Sequence, residues 1–310
     1  MVASSSLSVS ASADQSPFDL DSERPYQAWR ARKLADYPLS STEWLVSIDD
    51  GFQLQANERM ALLKAVGKTN MAVYQLPPAS AADKKQLRQL GRQLGLQRLD
   101  NNLCADEDGI SALHVAEKRQ VGEYIPYTSK RLNWHTDGYY NSLERQIRGV
   151  ILQCVQPAEN GGENAFLDHE IAYIQLRDAN PDFIRALMVP DAMTIPANVQ
   201  QGEELRAEQA GPVFSFDAAG QLHMRYSARG RNIVWKDDTD VQAAAECLLD
   251  LFQQDSPYIF RHRLEVGQGV ISNNILHCRT AFDHDADAEP GRLLYRARYF
   301  DRVTDINQGG

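Results

Sequence analysis

Residues 124–140, YIPYTSKRLNWHTDGYY, set two potential metal donors, His135 and Asp137, two positions apart. In an extended strand residues i and i+2 point to the same face, so one cation can touch both. A second imidazole would complete a set of two histidines and one carboxylate, which holds ferrous iron from one side and leaves the opposite side open. His277, in VISNNILHCRTAF, is the candidate. A His-x-Asp pair alone is weak, because a surface histidine beside an aspartate reads the same way. The residues after His277 strengthen it. Arg279, Arg292 and Arg296 follow, and Arg292 and Arg296 lie four apart in a β-like run, so they share a face.

This combination, with an arginine fifteen residues after the distant histidine, resembles the iron(II)- and 2-oxoglutarate-dependent dioxygenases. More narrowly it is similar to the branch that contains taurine dioxygenase and γ-butyrobetaine hydroxylase, over about residues 68–302. The resemblance implies Fe(2+) held by His135, Asp137 and His277, with 2-oxoglutarate as co-substrate and O2 as oxidant. It implies that Arg292 meets the distal carboxylate of the co-substrate bidentately, since an unpaired buried anion is costly. Arg279 shares the face of His277 and is a further co-substrate candidate. Where the family carries Ser or Thr after Gly-Gly-acid, this chain reads Gly161-Gly162-Glu163-Asn164. Asn164 therefore stands in for the hydroxyl, and its amide can still donate a hydrogen bond.

On the substrate side, Arg296 matches the position at which taurine dioxygenase holds its substrate's anionic group; the alternative is a second barrel arginine paired with an aspartate. Tyr124, Tyr127, Trp134, Tyr139 and Tyr140 surround the ligand pair. They either pack the barrel mouth or supply rings for a cation cage. Asn133, Tyr140 and Tyr124 are the substrate-binding candidates. The implied reaction is hydroxylation of an unactivated C–H bond in a small polar metabolite of amino acid, betaine or sulfonate type, with release of succinate and CO2. Two other readings use the same residues: a zinc hydrolase, for which no H-E-x-x-H motif is present, and a non-catalytic jelly-roll ligand-binding protein.

Composition narrows the partners. With 310 residues, 43% of them hydrophobic, the chain can bury one large core. A net charge of −10 argues against a nucleic-acid or anionic-membrane surface, both of which need a basic patch. No apolar run approaches a bilayer span. The opening MVASSSLSVSASADQS lacks the basic leader and apolar segment of a secretory signal. Cys104, Cys154, Cys247 and Cys278 are scattered, as in a reduced, cytoplasmic protein.

Along the chain, residues 1–17 are Ser/Ala-rich and expected to be disordered. Residues 18–67 form a small accessory element for packing or homo-oligomer contact, and 68–310 the main domain. Ser80 is expected to cap a helix carrying Leu87, Leu90 and Leu94, stopped by Gly95. Residues 147–155, 257–264, 269–275 and 292–300 read as strands. The polar run 198–211 lacks periodicity and reads as a loop that could close over the site. Many short strands with a few helices predict a mainly β protein with flanking helices (α+β), arranged as a double-stranded β-helix, or jelly roll.

Overall fold

Alternation along single strands lets one sheet face an apolar core on one side and charged groups on the other. The computed structural model describes residues 16–101, 108–115, 125–200, 202–230, 233–284 and 291–305. Residues 1–15, Cys104 and Tyr124, for which expectations were stated, lie outside the described residues. Within them, a major sheet of six strands runs in the order Leu45–Ser47, Met71–Gln75, Gln268–Ser272, Gly149–Gln156, Leu293–Tyr299, Ile110–Leu113. The first pair is parallel and the rest are antiparallel.

On one face of this sheet Ala72, Tyr74, Ile151, Ile271, Ala297 and Tyr299 pack with Leu62, Val66, Leu87 and Leu90 from two helices. The alternate residues Arg296 and Arg298 are buried on the other face. The first of the two helices, Ala56–Thr69, opens with a capping box between Gln55 and Glu58 and closes on Asn70 in the left-handed region, φ 57°. The second, Lys84–Gln93, is capped by the Asp83 carboxylate, which accepts from Lys85 N and Gln86 N. Ser80, expected as that cap, instead ends the short 3-10 turn Pro78–Ser80. Asp83 lies adjacent to the first helical turn, where an acceptor meets the unpaired amides.

A minor sheet of four antiparallel strands runs Phe260–His262, Asn164–Leu167, Leu276–Arg279, Leu132–His135. The strand expected over 269–275 ends at Ser272, and the chain turns at Asn274, φ 53°, before entering the minor sheet at Leu276. One apolar run in the sequence is thus two strands in two sheets. The segment 198–211 is also corrected: Asn198–Gln200 and Glu203–Arg206 form a hairpin, and Gln209–Gly211 pairs with Met193–Ile195. Its side chains are mostly exposed, so no hydrophobic alternation marks it, while backbone pairing needs none.

Three helices, His169–Ala179, Pro181–Leu187 and Thr239–Leu251, pack on one another. The architecture is therefore mixed α+β. The chain divides into two compact units, Met1–Tyr37 and Pro38–Gly310. In the first, the helix Glu23–Leu34 carries Trp29, whose ring meets Phe18 edge-on at 5.0 Å. No helix among the described residues is long and apolar enough to cross a membrane. Ile271 is fully buried between the major sheet and its helices, so Ile271→Ala should lower stability by about 2–5 kcal/mol, measured by chemical denaturation; a loss under about 1 kcal/mol would contradict this core.

Candidate metal centre

The strands Leu132–His135 and Leu276–Arg279 set His135 directly opposite His277. Their ring centroids are 4.3 Å apart. Asp137 reaches the same point by a different route from the continuous strand expected above. The strand stops at His135, and Gly138, φ 66°, begins a turn in which a Cβ would strike Ile147. Asn274 holds this turn. Its Oδ1 accepts from Asp137 N at 2.8 Å, and its Nδ2 donates to Asp137 O at 2.9 Å and Ile147 O at 2.6 Å. The corner residue between the two sheets thereby places the carboxylate.

One donor atom from each of His135, Asp137 and His277 lies within 4.8 Å of the others. His277 Nε2 is 4.0 Å from Asp137 Oδ2. Each imidazole donates through Nδ1 to the carbonyl two residues earlier, His135 to Asn133 O at 2.9 Å and His277 to Ile275 O at 3.0 Å. A carbonyl only accepts, so Nδ1 carries a proton and Nε2 is the ring atom of each histidine turned to the cluster. Burial above all, and then the neighbouring His277, pushes His135 down to about 3, so it is neutral. For Asp137 burial alone works upward, but Arg296 and the other nearby positive groups outweigh it and hold the carboxyl well below the usual range. Oδ1 accepts from Arg296 Nη1 at 2.9 Å, whereas Oδ2 is buried without a hydrogen-bond partner among the described residues. Two imidazole nitrogens and one carboxylate oxygen unsatisfied among the described residues fit a ferrous ion in donor type.

A recess is lined by Cys154, Gly161, Gly162, Asn164, Arg263 and Arg292. Arg292, 8% exposed, has no carboxylate or hydrogen-bond partner among the described residues. Its guanidinium sits 4.7 Å from the centre of the Phe282 ring, and that of Arg279 lies 4.8 Å from the same ring. Arg279 Nη2 is already engaged, donating to Thr128 O at 2.8 Å and Lys130 O at 2.5 Å. Burial lowers Arg292 to about 10; burial, then Arg292, lowers Arg279 to about 9. Asn164 is opposite Arg279 in the strand register, so the two share this region.

The substrate-side candidates separate. Arg296 is buried against Asp137, Asn133 is exposed on the strand that ends at His135, and the Tyr140 hydroxyl accepts from Arg298 Nη1 at 2.7 Å. Tyr139 stands edge-on to the His135 ring at 6.4 Å. Trp134 stacks on Phe252 at 5.0 Å, in the core. Sequence reasoning missed Asn274 and Arg298. The paired asparagines of SNNI were a readable corner signal, since Asn enters the left-handed region more readily than other non-glycine residues.

The chain matches the family described as "Taurine catabolism dioxygenase TauD, TfdA family" over residues 46–298. A curated relative from Amycolatopsis sp, named uridine-5'-phosphate dioxygenase, is 30% identical over 171 residues, covering 54% of this chain and 60% of that protein. Another of the same name, from Streptomyces sp, is 28% identical over 205 residues, covering 63% of this chain and 71% of that one. The chain thus spans less than two thirds of the first relative's length. A solved asparagine oxygenase in complex with Fe(II), 2S,3S-3-hydroxyasparagine and succinate has a TM-score of 0.57 at 15% identity, covering 83% of this chain and 93% of that one. A taurine dioxygenase from Burkholderia xenovorans has a TM-score of 0.54 at 18% identity, covering 81% and 83%. These structural likenesses concern the fold. The family match encloses His135, Asp137, His277, Arg292 and Arg296 and spans well over half the sequence, so the chain belongs to the TauD/TfdA dioxygenase family.

Proposed function

We propose that this dioxygenase, which uses iron(II), 2-oxoglutarate and O2 as its family does, hydroxylates an unactivated C–H bond of a nucleoside 5'-phosphate. The observation that carries the chemistry is Asp137 Oδ2, without a hydrogen-bond partner among the described residues and grouped with two imidazole nitrogens. We read the two sheets as a double-stranded β-helix with this cluster inside it. His135, Asp137 and His277 are the iron ligands. When bound, the iron couples O2 reduction to conversion of 2-oxoglutarate into succinate and CO2, and so supplies the oxidising power for hydroxylation.

The chain's own residues bind and orient. Arg292, a buried cation without a counter-ion among the described residues, receives the distal carboxylate of the co-substrate, and the Asn164 amide lies in the same recess to donate to it. Arg279 buttresses that site by tying down Thr128 and Lys130. Arg296 fixes Asp137 so that only Oδ2 is left for the metal. The two curated relatives, both named for a nucleotide, support a phosphorylated substrate ahead of the amino acids, betaines and sulfonates considered from the sequence. A quaternary ammonium is further disfavoured because Arg206 and Arg298 each stand 5.8 Å from the centre of the Tyr140 ring, and like charges repel.

Anaerobic addition of iron(II) and 2-oxoglutarate should produce a weak visible charge-transfer band that His135→Ala abolishes. Uridine 5'-phosphate should then stimulate succinate release; a band with no stimulation would remove the nucleotide and leave the reaction class. Arg292→Gln should raise the 2-oxoglutarate concentration needed for half-saturation about 10- to 100-fold, and an unchanged requirement would exclude Arg292 from that role. Arg296→Gln should weaken iron(II) binding by about 10- to 100-fold in competition with a chelator, without displacing the 2-oxoglutarate requirement as Arg292→Gln does.

A further inference from the structure

The flank of the metal centre beyond Tyr139 carries several guanidiniums. Arg298 donates to Asp100 Oδ2 at 2.6 Å, and Arg145 Nη2 approaches Asp100 Oδ1 at 3.3 Å. Arg225 spends its nitrogens on backbone carbonyls, those of Tyr139 at 2.8 Å, Met193 at 2.9 Å and Gln209 at 2.7 Å. Burial, then the charge of Arg206, lowers Arg225 to about 10. Arg145 and Arg298 thus share the Asp100 carboxylate and Arg296 takes Asp137, while Arg206 and Arg225 have no carboxylate partner among the described residues. Uncompensated charge in a partly buried place is costly unless an anion arrives.

Arg206 is the member of this group with capacity to spare. It ends the strand Glu203–Arg206 of the hairpin. Its Nη2 donates to Pro196 O at 2.7 Å, while Nη1 is buried with no partner among the described residues. Glu203, Glu204 and Glu208 beside it in sequence are exposed, and none pairs with it among the described residues. A run of rings connects it to the metal donors: the guanidinium is 5.8 Å from the Tyr140 centroid, Tyr140 is 5.2 Å from Tyr139, and Tyr139 is 6.4 Å from His135. Arg296, the position first expected to hold a substrate anion, already spends Nη1 on Asp137.

We propose that Arg206 receives the phosphate of the substrate, and that Tyr139 and Tyr140 form the surface along which the nucleoside lies between that phosphate and His135. The inference rests on the nucleotide reading above and adds to it the residue that selects for the phosphate. A guanidinium matches the oxygen pair of a phosphate dianion. An aromatic surface gives a flat base or sugar a low-entropy platform.

The test measures equilibrium binding of uridine 5'-phosphate and of uridine to the anaerobic protein loaded with iron(II) and 2-oxoglutarate. The wild type should prefer the phosphorylated ligand about 10- to 100-fold. Arg206→Gln should erase that preference while the charge-transfer band persists, and Arg206→Lys should restore part of it. Arg229, two residues beyond the bridge of Ser227 to His135, is the comparison cation, and Arg229→Gln should keep the preference. Retention in Arg206→Gln, or loss in Arg229→Gln alone, would overturn the assignment to Arg206. A wild type that binds both ligands equally, or neither, with its band intact would remove the nucleotide reading itself and this inference with it. Should Arg206→Gln fail to fold, seen as a collapsed melting transition, Arg206→Lys carries the comparison: a wild-type preference in it would count against a planar, bidentate contact at this position.

Discussion

A buried bond between Arg296 Nη1 and Asp137 Oδ1, 2.9 Å long, joins the last strand of the major sheet to the turn that follows the minor sheet. Both side chains are almost wholly withdrawn from solvent. In that setting a charge without its partner costs several kcal/mol, so the two sheets are held in the one arrangement that keeps the pair together. The same bond saturates one carboxylate oxygen and leaves the other facing His135 and His277. Fold and centre therefore share a single electrostatic constraint. A surface pair of the same length would be screened and would specify little.

Around that pair, small backbone devices set the donors. Both histidines spend Nδ1 on the carbonyl two residues earlier, which fixes tautomer and ring direction without any second carboxylate. Asn274 uses its side chain as a backbone surrogate for Asp137 and Ile147, and its own left-handed backbone turns the chain from one sheet into the other. The positive groups fall into distinct roles by what they bond. Arg225 and Arg279 cap carbonyls, Arg296 and Arg298 pair with carboxylates, and Arg206 and Arg292 retain unanswered charge. Of these six, only the last two bond no carboxylate and at most one carbonyl among the described residues.

Helices carry local marks in the sequence. Pro181 follows Asn180, whose side chain accepts from Asp182 N, and Leu87 and Leu90 recur at the spacing that buries one face of Lys84–Gln93. The cap at Asp83 was misplaced to Ser80, since both residue types cap helices and only the course of the backbone chooses between them. The hairpin within 198–211 was invisible because its strands are polar and exposed, so pairing left no trace in the pattern of side chains. The strand Leu276–Arg279 was hidden for the opposite reason. It continues an apolar run begun at Gln268, and buried strands on both sides of a corner look alike in sequence.

By itself the sequence determined the residue types and spacings of the candidate centre, His-x-Asp, a remote histidine and the arginines after it, because a metal site would need such groups whatever surrounds them. It also determined the mixed α and β character of the chain, through periodicity and turn residues. Tertiary structure alone decided which arginine answers which anion. Arg292, Arg296 and Arg298 are chemically identical and lie within seven residues of one another, and a guanidinium's role depends on the acceptor within about 3 Å of it, which for Arg296 and Arg298 comes from a segment more than a hundred residues away.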